Sequence, residues 1–122
     1  MDSQTADALA RKIIALDPAF HWVVLLDEAG GVLAQVYSES YTERTPVSKA
    51  TQERLGAVDA VFLSAAAKAE KWYGQMEFIL LAYRDAKVML VYGKRDKLYL
   101  VAKVPRSTLA EHLFAKVSSV LG

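Results

Sequence analysis

A chain of 122 residues has room for one domain, and with no cysteine it cannot use disulfides, thiolate chemistry or cysteine-ligated zinc. Its apolar fraction of 53% is slightly above that of an ordinary soluble domain, but runs such as Trp22 to Leu26 fall far short of the roughly 20 residues of a membrane-spanning helix. Fifteen basic and fourteen acidic side chains leave a formal charge of +1, which excludes a general attraction to nucleic acid or anionic lipid.

The start, Met1-Asp2-Ser3-Gln4, lacks the basic and apolar regions of a signal peptide. Together with the missing cysteines it makes the cytoplasm the expected location. Ser3 to Leu16 carries Ala6, Leu9, Ile13 and Leu16 at helical spacing, and Asp17-Pro18 ends the helix. His21 to Leu26 reads as a strand, Asp27-Glu28-Ala29-Gly30-Gly31 as a hairpin turn, and Val32 to Tyr37 as the return strand. Ser38 to Arg44 is polar and reads as a loop.

Thr45-Pro46 has the form of a helix start, with threonine as N-cap, and a helical pattern continues to Tyr73, where Gly74 stops it. Such a helix would be roughly 40 Å long. Gly56 inside it costs about 1 kcal/mol relative to alanine, which implies a close contact there. Three further strands are expected at Gln75 to Tyr83, Lys87 to Tyr92 and Lys97 to Val104, joined by short turns into an antiparallel meander. After Pro105, Thr108-Leu109-Ala110-Glu111 has the spacing of a capping box. The final helix would bury Leu109, Leu113, Val117 and Val120, with Phe114 and Leu121 beside them.

The expected fold is therefore α/β of the α+β type, in the order α-β-β-α-β-β-β-α, as one domain over residues 1–122. Trp22–Leu26 and Leu98–Val101 are apolar at consecutive positions, the pattern of strands covered on both faces. A five-stranded, mainly antiparallel sheet would carry the long middle helix on one face and the first and last helices on the other.

The middle helix is the unusual element. From Leu55 to Ala67 (L-G-A-V-D-A-V-F-L-S-A-A-A) its only charge is Asp59, whereas a surface helix keeps one face polar. One sheet covers only part of such a helix, so a second molecule is expected on the rest. Ala57, Ala60, Ser64 and Ala67 are small enough for close approach of two helices, with Val61 beside them. Leu55, Phe62, Ala66 and Ala69 would then face the sheet. The following strand, through Met76, Phe78 and Leu80, would pair across the same dimer axis, since an unpaired apolar edge is a liability. Asp59 is read as lying at the exposed margin of the helix, or as paired across the interface.

No motif for chemistry accompanies this. There is no phosphate-binding glycine loop: Gly93-Lys94 lies between two strands, so the chain is not read as a GTPase. His21 and His112, with Glu111 nearby, lack metal-ligand spacing and are read as a partly exposed pair, leaving no metal site and no cofactor. No G-x-S-x-G elbow or other catalytic set is present. Aromatics are frequent, at Tyr37, Tyr41, Trp72, Tyr73, Phe78, Tyr83, Tyr92 and Tyr99, and Lys87, Lys94, Arg95, Lys97 and Lys103 line the meander. That mixture can stack single-stranded nucleic acid, but on covered strands it is better read as edge protection and solubility.

The element order, the H-W-V-V-L-L-D-E-A-G-G-V-L hairpin and the amphipathic closing helix resemble the roadblock/LC7 family of profilin-like fold. The layout is also similar to small archaeal roadblock-like proteins of unknown function. The resemblance implies dimerisation through the 46–73 helix and the 75–83 strand, and a non-enzymatic role as scaffold or regulator of a small GTPase. It transfers no catalytic residue. The alternative is a small-molecule sensor of PAS- or profilin-like layout, which requires a closed apolar cavity of about 300 Å³ or more. A longin-like adaptor would begin with a strand, against the helical pattern of Ser3–Leu16.

Overall fold

A computed structural model describes residues 1–39 and 48–122. In chain order the elements are α1 (Ser3–Ile14), β1 (Trp22–Asp27), β2 (Val32–Tyr37), α2 (Lys49–Ala67), α3 (Glu70–Tyr73), β3 (Ile79–Ala82), β4 (Lys87–Gly93), β5 (Leu98–Val104) and α4 (Ala110–Leu121). Among the described residues one antiparallel sheet has the strand order β2-β1-β5-β4-β3. The first hairpin and the closing meander thus meet in the middle, where β1 pairs β5 from Trp22–Lys103 to Asp27–Leu98.

Pleating sends alternate residues of β1 to opposite faces, and both faces are covered. Val23 and Leu25 join Ala6, Ala10 and Ile13 of α1 and Leu113, Val117 and Leu121 of α4 in one core. Val24 and Leu26 join Ala60 and Leu63 of α2 in the other, with Leu90, Tyr99 and Val101. This accounts for the consecutive apolar residues of the two central strands.

The first turn is as expected. The Asp27 carboxylate accepts hydrogen bonds from the Ala29 and Gly31 amides, each at 2.9 Å, and Gly30 takes the left-handed φ of 92° that the hairpin needs.

Several boundaries differ from the sequence reading. The Thr45-Pro46 start lies outside the described residues, as do Tyr41 and most of the Ser38–Arg44 loop. The helix as described begins at Lys49, where Ser48 is extended and its hydroxyl accepts from the Thr51 amide at 3.2 Å. Ser48→Ala should therefore cost about 1 kcal/mol in urea unfolding, the usual worth of such a cap. Nor is the middle helix continuous to Tyr73. The Lys68 and Ala69 amides bond to Ala65 and Ala66, tightening the last turn of α2 before α3 begins, and Gly74 then stops the chain at φ 86°. The Glu70 carboxylate takes up the Met76 amide at 2.8 Å, so β3 starts only at Ile79 and is four residues long.

At the other end Lys97 adopts φ 52° in the turn instead of opening β5. The capping box does not form: Leu109 occupies the cap of α4 without a side-chain bond and is largely exposed. The buried stripe of α4 is Ala110, Leu113, Val117 and Leu121, one residue later than expected at its start.

Candidate functional site

The close approach implied by Gly56 exists, and it orients α2. A β-carbon at Gly56 would sit 2.5 Å from the Gly30 carbonyl oxygen, and one at Gly30 would sit 2.7 Å from the Ala57 α-carbon. The helix therefore rests its Gly56 face on the β1–β2 turn. At helical spacing the same face carries Gln52, Ala60 and Leu63, all buried.

This rotation corrects the expected facing. Ala60 is only 7% exposed and belongs to the protomer's own core, while Leu55 and Phe62 point away from the sheet. Leu55, Val58, Val61 and Phe62 are 48, 48, 65 and 44% exposed, and Ala57, Ser64, Ala65 and Ala66 are exposed beside them. Ala67 is half-buried. A contiguous apolar helix surface of this kind marks an interaction site far more often than scattered apolar residues do. Trp72 and Tyr73 of α3, after the end of α2, are also exposed, at 69 and 88%.

The neighbouring sheet edge is open. β3 pairs β4 from Ile79–Leu90 to Ala82–Lys87, and its other side has no partner strand among the described residues. Leu80 lies in this strand, whereas Met76 and Phe78 precede it. All three are half-buried. Phe78 packs on Phe114 of α4, with ring centroids 5.4 Å apart, and Leu80 packs on the same core. Met76, Ile79 and Leu81 lie on the α2 side. Of the residues expected at an interface, Ala57, Val61, Ser64 and Ala67 share the α2 surface or its margin; Phe78 and Leu80 face the opposite layer.

Asp59 is half-buried on α2, and its carboxylate has no hydrogen-bond or ionic partner among the described residues. Burial pushes its pKa up from 3.8 to about 6. Because the folded state holds the proton more tightly than the unfolded chain, Asp59 costs nothing below pH 4. The cost then grows as pH rises to about 6 and is constant above it. Asp59→Asn should thus raise unfolding stability at pH 8 and leave it unchanged near pH 4. The gain should be on the order of 1–2 kcal/mol, less than the full shift implies, because solvent still screens a half-buried charge. Urea titrations at the two pH values measure the difference.

Among the described residues, the two histidines lie apart from the α2 surface. His112 is exposed on α4 and His21 is half-buried before β1. Two of the basic residues along the meander hold main-chain carbonyls: Lys87 donates to Thr108 at 3.1 Å, and Arg95 donates to Val120 at the end of α4 at 2.8 Å. These contacts tie α4 to the sheet. Clefts of about 300–380 Å³ lie between α3 and β3, beside α2 at the first hairpin turn, and at the start of α4. They are open to solvent, unlike the closed cavity that a sensor requires.

No family model matches the sequence, and no curated protein matches it either. Solved structures do match its shape. A roadblock/LC7 domain from Streptomyces avermitilis superposes with a TM-score of 0.72 at 14% identity, over 94% of this chain and 90% of that one. The chain has the roadblock/LC7 fold. The gliding protein MglB from Thermus thermophilus superposes on this chain with a TM-score of 0.67 at 11% identity, covering 98% of this chain and 90% of its own. An MglB described as having a tetrameric arrangement gives 0.67 at 12% identity, with 98 and 89% covered. At these identities the roadblock likeness is one of fold. No described helix is long and apolar enough to cross a membrane.

Proposed function

We propose that this roadblock-fold chain is a non-enzymatic, homodimeric scaffold or regulatory module of the cytoplasm, acting with a small GTPase. The observation that carries the reading is the exposed apolar surface of α2 beside the open edge of β3. Val61 would lie at the centre of the dimer interface. Ala57, Ser64 and Ala67 would flank it, and Leu55, Val58 and Phe62 would add most of the buried area. Ala60 supports the helix from beneath. Leu80 would contribute through the open edge of β3, and Met76 and Phe78 through the segment that leads into it. The tetrameric arrangement of one MglB of similar fold supports the self-association read here. The GTPase enters through the family resemblance.

Light scattering on a sizing column tests the first part. Twice the protomer mass is expected from about 1 to 100 μM, and a monomer throughout that range would overturn the dimer. The second part needs a small GTPase from the same cell, immobilised with GDP or with a non-hydrolysable GTP analogue. The dimer should be retained more by one nucleotide state. Retention by neither would remove the GTPase and leave the scaffold.

A further inference from the structure

Where α2 ends, a cleft of about 210 Å³ opens between its last turn and the β4–β5 hairpin. An apolar cavity of about 150 Å³ already accepts a benzene ring, so this one has space for a short alkyl chain and its head group. Leu63, Ala67 and Met76 give it an apolar wall, and Tyr92 and Tyr99 an aromatic one, with ring centroids 5.3 Å apart.

Its charged groups are the acids Glu28 and Glu70 and the base Lys94. The Tyr92 hydroxyl donates to a Glu28 carboxylate oxygen at 3.1 Å, and one Glu70 oxygen accepts the Met76 amide at 2.8 Å. Tyr99 is 7% exposed, yet its hydroxyl has no hydrogen-bond partner among the described residues. Tyr99 lines the cleft, and its hydroxyl keeps some access to solvent. Burial holds both phenols protonated to a pH above the usual range, followed at Tyr92 by the hydrogen bond to Glu28 and at Tyr99 by the negative charge of Glu28. Lys94 also lines the cleft but makes no ion pair there among the described residues. Two carboxylates against one ammonium leave the lining with a formal charge of −1.

We propose that this cleft binds a single alkylguanidinium or alkylammonium group. The Glu28 and Glu70 carboxylates supply the counter-charge, and the free Tyr99 hydroxyl accepts an N–H from the cation. The tyrosine faces favour such a group over a neutral one, and guanidinium over ammonium because it stacks. An anion would meet two carboxylates. The cation can come from a free amine or from an arginine or lysine side chain of a protein, and both present the same chemistry.

The test is an NMR titration of the isotope-labelled full chain with agmatine, with N-acetyl-arginine amide, and with butyramide as the neutral control. Saturable shifts are expected at the Tyr92, Lys94 and Tyr99 amides, with Kd of about 1 mM for the cations. Glu28→Gln and Tyr99→Phe, which preserve the side chains' shape, should each weaken binding about fivefold or more, whereas Lys94→Ala should tighten it. Tighter binding of agmatine assigns a free amine, and tighter binding of the capped arginine assigns a protein side chain; either order supports the site. Shifts that do not saturate, equal shifts from butyramide, or unchanged binding in Glu28→Gln would overturn it. Oligomeric state is read separately by light scattering, so either proposal can fail alone.

Discussion

Phe62→Glu should leave a folded monomer. Phe62 is 44% exposed in the protomer, so in the free chain a glutamate there reaches water, and glutamate is the better helix former of the two. In a dimer built on the α2 surface, the same carboxylate would be buried against an apolar partner surface without a counter-ion. That situation costs about 3–5 kcal/mol for each unpaired charge, and a two-fold axis imposes it twice. The dimer dissociation constant should rise at least a thousandfold, or about 4 kcal/mol. Light scattering reads the mass, and circular dichroism with thermal melting reads the fold. A variant as dimeric as the parent would exclude this surface of α2 and leave the β3 edge to be tested. Ala60→Glu would not serve, because Ala60 lies in the protomer's core and the charge would unfold the chain before reporting on association.

Gly56→Ala should destabilise the fold, although alanine in a helix normally gains about 1 kcal/mol over glycine. The added methyl would lie 2.5 Å from the Gly30 carbonyl oxygen and 3.0 Å from a Leu26 methyl. Leucine can adjust, but the oxygen belongs to a turn held by Asp27 and by the left-handed Gly30. Moving α2 off that turn would loosen Leu63 and Ala60 from Val24 and Leu26 across one whole face of the sheet. A net loss of about 2–3 kcal/mol in urea unfolding is expected after the propensity gain. Stabilisation would mean that α2 does not press on the first hairpin.

The rotation of α2 is also where sequence reading reached its limit. Apolar residues lie all round this helix, so periodicity alone could not say which of them face the sheet. The best clue was Gly56 itself. A helix touching its own protein at a glycine must turn the positions four and seven residues later, Ala60 and Leu63, toward the same contact. Following that rule would have placed Leu55 and Phe62 outside. The cleft at the end of α2 offered no such clue, because Glu28, Glu70 and Tyr99 are far apart in the chain and meet only through sheet order and the α2–α3 break.

Element order, the first hairpin and the two covered sheet faces were legible in the sequence. They follow from local causes: turn residues at Asp27–Gly31, β-branched runs, and apolar pairs at consecutive strand positions. The end of α2 and the short β3 turned on main-chain and side-chain competitors that periodicity does not show: the Lys68 and Ala69 amides on Ala65 and Ala66, and the Glu70 carboxylate on the Met76 amide. At the start of α4 a tertiary contact enters, with Lys87 holding the Thr108 carbonyl. Composition determined that this chain would have a helix with more apolar surface than one sheet can cover. Only packing against Gly30 decided which of its residues remain exposed, because a close backbone contact selects one rotation among many of similar hydrophobicity.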